Sequence, residues 1–176
     1  YSLTIQHCEA VFELYKDHIN PYWVCLPLSL RNAVSQFEPK WTCWEPAKQK
    51  DWVRQPSKWS ITDPYHFGFF TEGMEFEEFV PKFAEWLSYK DWEGDGIGAL
   101  TCQFVGIRTQ ESLNRYRTIA SKRKSTYKDL QWTTWVSGAV YSAYPIYDWQ
   151  TEDIWRYHAI HPNLPYNRLY DRMYQA

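Results

Sequence analysis

Two arginines, a glutamate and a serine lie close together between Gly106 and Arg115, where the sequence reads GIRTQESLNR. We predict that a buried strand ends at Gly106 and that a polar turn then leads into a helix. A helix N-terminus has unpaired N–H groups and a positive dipole, which suit anions. Arg108 and Arg115 could each bind phosphate or sulfate through two hydrogen bonds, while Glu111 and Ser112 could cap the helix or orient the arginines. The alternative is a surface loop with an Arg–Glu pair and a capped helix.

A basic run follows this segment and consists of Arg117, Lys122, Arg123, Lys124 and Lys128. One interpretation is that it extends the anion site. The other is a solvated helix end, where cations interact favourably with the negative end of the helix dipole.

For the other residues that could bind a metal or take part in catalysis, we favour structural roles. His158 and His161 are three residues apart without a nearby set of acidic or cysteine partners, which argues against a metal site. Asp148 and Asp153 could be a general base and a helix cap, and we favour structural roles. The cysteines form no C-x-x-C pair, so we expect no zinc or iron–sulfur site and four small buried side chains: Cys8, Cys25, Cys43 and Cys102.

The composition is typical of one globular domain. The 176 residues are 44% hydrophobic and carry a net charge of -2, which argues against disorder and against a general electrostatic grip on nucleic acid. Because no apolar run approaches the roughly 20 residues of a membrane helix and no secretory signal is visible, we expect a cytoplasmic protein. The first residue is Tyr1, which suggests that residues precede it in the natural protein.

Hydrophobic periodicity and turn residues predict alternating helices and strands. We predict helices over 3–17, 75–87, 111–121 and 151–159, and strands over 22–26, 99–105, 132–136 and 140–147. Other segments are an irregular Trp- and Pro-rich insertion (36–66), a connector containing Gly94, Gly96 and Gly98, and a turn-rich tail (162–176). The alternation predicts a single α/β domain over 1–176, with an open, mostly parallel sheet and helices on both faces.

Two blocks of sequence resemble one known family. The segment 106–115 resembles the G-[IL]-R-x-x-[EQ]-S-x-x-R motif of phosphoadenosine phosphosulfate (PAPS) reductases. PIYDW at 145–149, DIW at 153–155, LPY at 164–166 and Tyr174 agree with a second family block in order and spacing. The resemblance is firm from about 99 to 174 and looser before, where the Trp-rich insertion resembles a subgroup common on prophages and mobile islands.

The resemblance implies an adenine nucleotide alpha-hydrolase (PP-loop) fold that binds ATP or PAPS, with Mg²⁺ in the ATP-using branch. It assigns nucleotide binding to seven residues, namely Gly106, Arg108, Glu111, Ser112, Arg115, Lys122 and Arg123. The superfamily's Ser-Gly-Gly-x-Asp-Ser phosphate loop and the reductases' Glu-Cys-Gly-x-His tail do not occur in this sequence. We therefore expect that the chain lacks the N-terminal phosphate-binding segment, that this fragment alone is inactive, and that no catalytic residue can be assigned.

The resemblance favours an enzyme that acts on an adenine nucleotide, through ATP α-phosphate chemistry or sulfonucleotide reduction. The missing reductive cysteine favours the former. The alternative is a non-catalytic binding or regulatory module that retains the PAPS reductase scaffold, with a protein partner acting on DNA. An absent first strand would leave an open sheet edge, so we also expect homodimerisation or aggregation of the isolated chain.

Overall fold

The computed structural model describes residues 2–32, 34–90 and 99–173. Its α-helices are Ser2–Tyr15 (α1), Phe76–Lys90 (α2), Leu113–Ala120 (α3), Thr151–Ile160 (α4) and Leu169–Met173 (α5). Its strands are Trp23–Val24 (β1), Ser29–Arg31 (β2), Lys40–Thr42 (β3), Ser60–Ile61 (β4), Thr101–Phe104 (β5), Thr133–Ser137 (β6) and Val140–Ala143 (β7). The fold is mixed α/β. The predicted glycine connector at 94–98 and Tyr174 fall outside the described residues.

The chain forms two compact units, of which one is continuous and the other combines both ends of the sequence. The continuous unit is Trp23–Asp148, and the second unit combines Tyr1–Tyr22 with Trp149–Ala176. The candidate site of the sequence analysis lies entirely in the continuous unit.

The sheet that carries the site has the strand order β5-β7-β6. β5 and β7 are parallel, with Thr101 opposite Val140 and Phe104 opposite Ala143. β6 and β7 are antiparallel, because the turn at Gly138, with φ +44°, joins them directly, whereas a parallel pair needs a crossover of a dozen or more residues. The sheet is therefore mixed. α2 packs against its strands, and the described residues do not clearly show an open parallel sheet with helices on both faces.

An aromatic cluster around Phe67 and α2 forms a core within the continuous unit. Phe67 is 1% exposed, and its ring meets those of Phe79, Phe83 and Trp86 edge-on at centroid distances of 5.5, 5.7 and 5.3 Å. The three partners lie on α2 with the i, i+4, i+7 spacing that gives a helix one apolar stripe. The predicted stripe is thus the face that buries Phe67.

The Trp- and Pro-rich segment 36–66 contains short elements only. Besides β3 and β4 it has two 3₁₀ turns, Pro46–Asp51 and Pro64–His66, and prolines lie at the start of both, where a missing N–H costs nothing. Aromatic and cationic contacts hold the segment together. Trp44 meets Trp52 edge-on at 5.2 Å, and the Arg54 guanidinium lies 5.0 Å from the Trp44 ring centre.

The unit built from both chain ends consists of α1, α4 and α5. Trp155 on α4 makes edge-on contacts with Tyr166 and Tyr170 at 5.7 and 5.9 Å. The Asn167 amide donates a hydrogen bond to Thr4 Oγ1 at 3.1 Å, which links the turn before α5 to α1. The tail predicted as turn-rich contains the helix α5, because Pro162 and Pro165 both precede the segment that becomes helical.

Candidate anion-binding site

Backbone hydrogen bonds fix the path from β5 into the arginine segment. The amide of Val105 donates to the carbonyl of Ala143, which continues the pairing of β5 with β7. The turn that follows, Thr109–Glu111, is a 3₁₀ helix. Thr109 anchors it, since both its amide and its hydroxyl donate to the Tyr147 carbonyl, at 2.8 and 3.0 Å. The arginine segment therefore begins at the carboxyl end of β5, the position at which open α/β sheets bind ligands.

Glu111 lies between the two arginines and contacts both. Arg108 Nε donates to Glu111 Oε1 at 3.1 Å, and Arg115 Nη1 forms an ion pair with Glu111 Oε2. The Arg108 side chain is 16% exposed and that of Arg115 is 46% exposed. The two guanidinium groups therefore converge on one carboxylate, and we call Arg108, Glu111 and Arg115 the arginine cluster.

The cluster has a net charge of +1 and two guanidinium groups held in place. A guanidinium has five donors, so each arginine keeps donor capacity beyond its bond to one carboxylate oxygen. Holding the side chains in advance reduces the entropy lost when an anion binds. The arrangement could bind a phosphate or sulfate group, either beside Glu111 or in its place.

Ser112 caps α3, which is the first of the two roles predicted for it, namely capping the helix or orienting the arginines. Its backbone is extended, and its hydroxyl accepts a hydrogen bond from the amide of Arg115 at 3.2 Å. This bond satisfies one of the donors that a helix start leaves open. Ser112 thereby fixes the backbone of Arg115 as well as the start of the helix.

Gly106 has no steric reason to be glycine. An added Cβ there would have Ile146 Cδ1 at 3.9 Å as its nearest neighbour, and the backbone does not adopt a positive φ. The predicted contact of Gly106 with a nucleotide stays a prediction, as do the nucleotide contacts of the other six residues.

The basic run separates into one half-buried lysine, Lys124, and four exposed cations. Lys124 Nζ donates to the carbonyls of Thr118 and Gln131 at 3.2 and 2.6 Å, and burial lowers the pKa of this amine. Lys124 thus ties the end of α3 to the segment before β6. Lys122 borders a cavity, and the Arg123 amide donates to Ser121 Oγ at 3.4 Å.

A cavity of about 620 Å³ lies next to the arginine segment. Its lining contains the residue after Arg108 and the residue after Arg115, but neither arginine. The lining residues are Thr109, Tyr116, Ile119, Ala120, Lys122, Gln131 and Tyr147. The sequence analysis identified only Lys122 among them as a site residue. The spacing of Tyr116, Ile119 and Ala120 would have revealed one helix face, but not that this face borders a cavity.

Outside this region, Asp153, His158 and His161 make local contacts. The Asp153 carboxylate accepts from the amide of Gln150 at 2.9 Å, which confirms it as a helix cap. The His161 ring lies 4.5 Å from that of Tyr157, and the His158 ring lies 5.7 Å from that of Tyr166. Within 2–32, 34–90 and 99–173 there is no group of three or more His, Cys, Asp or Glu side chains that could hold a metal ion.

The cysteines differ in their exposure. Cys25 is buried and donates to Ser60 Oγ at 3.4 Å, while burial raises the pKa of the half-buried Cys43 thiol, which donates to the Leu26 carbonyl. Cys8 and Cys102 are exposed, so the prediction of four buried cysteines is wrong for these two. Cys102 points to the uncovered face of β5, whose side chains alternate between the two faces of the sheet.

In the part of the chain that the structure describes, no helix has the length and apolar character needed to cross a bilayer.

Comparison with known proteins finds a family match for the C-terminal part of the chain. No solved structure matches. The chain is similar to the "Uncharacterized protein YbdN" of Escherichia coli (strain K12), with 45% identity over 179 residues; the alignment covers 100% of this chain and 41% of that protein. The chain thus spans about two fifths of the length of this relative. Residues 97–176 match the family described as "Phosphoadenosine phosphosulfate reductase domain", and the whole arginine cluster lies within the matched segment.

Proposed function

We propose that this chain supplies the anion-binding part of an adenine-nucleotide site in a PAPS-reductase-like domain. The observation that carries the proposal is the convergence of Arg108 and Arg115 on Glu111 at the carboxyl end of β5. The family match over 97–176 supports it, because the cluster lies inside the matched segment. Lys122 and Arg123 follow α3 and add positive charge after the cluster.

In this proposal the arginines bind the charged end of the nucleotide. ATP and PAPS both end in phosphate or sulfate groups, for which a pair of guanidinium donors is well suited. Hydrogen-bond donors that are already held in position, such as these guanidinium groups, stabilise negative charge that develops on the phosphate or sulfate group during the reaction. We assign no residues to Mg²⁺, since the described residues offer no metal-binding group.

The proposal covers both reactions that the family resemblance implies, α-phosphate chemistry of ATP and sulfonucleotide reduction, and the nucleotide that binds in the test below distinguishes them. In the same proposal, β5 and β7 belong to a wider, open parallel sheet with helices on both faces, completed by other parts of the full-length protein.

The test is calorimetric titration of the full-length protein with ATP and, separately, with PAPS. We expect one nucleotide to bind, and Arg108→Ala to weaken its binding at least about tenfold, since a charge-assisted contact contributes about 1.5–3 kcal/mol. Arg156→Ala is the matched control, because its side chain is 78% exposed and forms an ion pair at 3.8 Å with Asp153, in the first turn of α4. It should leave the affinity unchanged.

Two results would contradict the proposal. One is that neither nucleotide binds. The other is that Arg108→Ala and Arg156→Ala have equal effects, which would place the binding site elsewhere.

A non-catalytic nucleotide-binding module is the second candidate. The specific observation in its favour is that Glu111 already compensates one of the two positive charges in the cluster, which leaves less charge to stabilise a transition state than two unpaired arginines would. The two candidates differ in turnover. Release of pyrophosphate, with water attacking the α-phosphate to give AMP, indicates the enzyme, and bound ATP that is recovered intact after prolonged incubation with the full-length protein indicates the module.

A further inference from the structure

We infer that the surface formed by α3 and residues 121–131 binds single-stranded nucleic acid, with one unstacked base entering the cavity next to Tyr116. This inference goes beyond the nucleotide site proposed above, with which it shares Lys122 and Arg123, and rests on different observations. They are the local distribution of charge, the lack of acidic partners for several cations, and the aromatic lining of the cavity.

Positive charge is concentrated in one short part of a slightly acidic chain. The whole chain has 19 basic and 21 acidic residues, but the segment 106–131 has seven basic and two acidic ones. The remainder therefore has 12 basic and 19 acidic residues. The seven are Arg108, Arg115, Arg117, Lys122, Arg123, Lys124 and Lys128, and the two are Glu111 and Asp129. A local excess of this kind attracts a polyanion even though the chain as a whole is negative.

Four of these seven cations have no acidic partner within the described residues. Glu111 pairs with the two arginines of the cluster, and Lys124 donates to backbone carbonyls. The other four are exposed, and across the described ranges none of them forms a salt bridge. They are Arg117, Lys122, Arg123 and Lys128. Their charge is not compensated within the described part of the chain.

The helix places aromatic and basic side chains side by side. Successive residues of an α-helix are about 100° apart, so Arg115 and Arg117 flank the stripe that contains Tyr116 and Ala120. Tyr116 is 53% exposed although it lines the cavity. Lys122 borders the same cavity, and Tyr147 contributes a second aromatic ring to the lining.

These features fit one class of polyanion better than the others. Single-stranded nucleic acid combines a charged backbone with bases that can stack on exposed aromatic rings. An acidic peptide would satisfy the cations but has no planar group for the cavity, and the bases of a duplex are stacked inside the helix. The cavity and the cations together therefore favour an unpaired strand.

The first experiment measures how charge contributes to binding. A fluorescent, unstructured single strand of about 12 nucleotides is titrated with the full-length protein by anisotropy at several salt concentrations. Each contact of a cation with a phosphate contributes about 0.7 to the slope of log affinity against log salt for single strands. The double variant Arg117→Ala/Lys128→Ala should flatten that slope by about 1.4. Its matched control is Arg31→Ala/Arg156→Ala, which removes two side chains that are 80% and 78% exposed and should leave the slope unchanged.

The second experiment tests the cavity. Tyr116→Ala should weaken binding of the single strand about tenfold without changing the salt slope, because a stacked base contributes free energy that does not depend on salt. Tyr116→Phe should bind as the wild type does. A fully paired duplex of the same sequence should bind more weakly than the single strand, since it has no free base to offer.

The inference is overturned if the single strand does not bind at low salt, or if the Arg31/Arg156 control weakens binding as much as the Arg117/Lys128 variant. Equal affinity for single strand and duplex, or an unchanged affinity of Tyr116→Ala, also overturns it. ATP and PAPS titrations of the Arg117→Ala/Lys128→Ala variant separate it from the proposed function. If this variant still binds the nucleotide but no longer binds the single strand, the two ligands use distinct surfaces. If it binds neither, the two surfaces are not distinct.

Discussion

At the scale of single residues, Glu111 determines how the arginine cluster is arranged. Without its carboxylate, Arg108 would be a nearly buried cation whose Nε donor loses its ionic partner, although Gln110 would still accept from Nη1 at 3.4 Å. Arg115 would be free to turn towards solvent, since its side chain is 46% exposed. Glu111 therefore has more effect on the geometry of the site than on its net charge.

Glu111→Gln should lower the free energy of unfolding by about 2 kcal/mol, which is within the range for hydrogen bonds to charged groups. The amide of glutamine has one acceptor oxygen, so it can satisfy only one of the two arginines, and its NH₂ group faces the other. Urea denaturation followed by circular dichroism measures the change.

Glu13→Gln is the control for that substitution. Glu13 on α1 and Lys16, just after the end of α1, form an exposed pair with side chains 46% and 44% exposed, and such pairs contribute little to stability because water screens them. An equal loss of stability in both variants would show that Glu111 is only another surface carboxylate.

How much of the site the sequence predicts depends on the distance between residues along the chain. Arg108, Glu111 and Arg115 are three and four residues apart, so local helix geometry brings them together and the sequence could predict their contact. Tyr147 is 38 residues from Thr109, and only the parallel register of β5 with β7 brings these two residues together. No local pattern reveals such a contact, which is why the sequence analysis did not find the cavity.

At the scale of elements, the stripe of α2 and the ring of Phe67 form the best-packed part of the continuous unit. Phe67→Ala should destabilise the protein by about 3–5 kcal/mol, since it removes a fully buried ring together with its edge-on contacts. Phe37→Ala is the control, because Phe37 is 96% exposed and its removal should change stability by less than about 0.5 kcal/mol. Comparable losses in urea denaturation would mean that the cluster is not the core.

The elements themselves were easier to predict than their pairing. Periodicity located α1, α2 and α4 to within a few residues, because each helix has to bury one apolar stripe. It could not give the direction of β6, since a strand has the same alternation of side chains whether its neighbour is parallel or antiparallel. That direction follows from the turn at Gly138, which is too short for a crossover.

At the scale of the whole molecule, the described residues leave the β5 edge of the β5-β7-β6 sheet without a partner strand. Within the described residues no strand pairs with the outer edge of β5. Leu100 and Phe104, at its two ends, are 61% and 70% exposed. Parallel strands normally have both faces covered, but β5 has exposed apolar side chains next to backbone groups that no described strand pairs with. This combination favours association with another chain.

The isolated 176-residue chain should therefore self-associate, and Phe104→Lys should shift it towards the monomer, because a lysine on an edge strand opposes pairing. Size-exclusion chromatography with light scattering over a range of concentrations measures this. Phe37→Lys adds the same charge at a residue that is even more exposed, and it should have no such effect. A wild-type chain that is monomeric at every concentration would contradict the prediction.

The hydrogen bond between Asn167 and Thr4 joins residues that are 163 positions apart, and this has a consequence for how the protein is made. On the ribosome, α1 emerges before the continuous unit 23–148, whereas its partners α4 and α5 emerge after it. The continuous unit can fold during translation, while the apolar side chains of α1 stay without these partners until that unit has been synthesised. A chaperone that acts on the nascent protein would be expected to bind at α1.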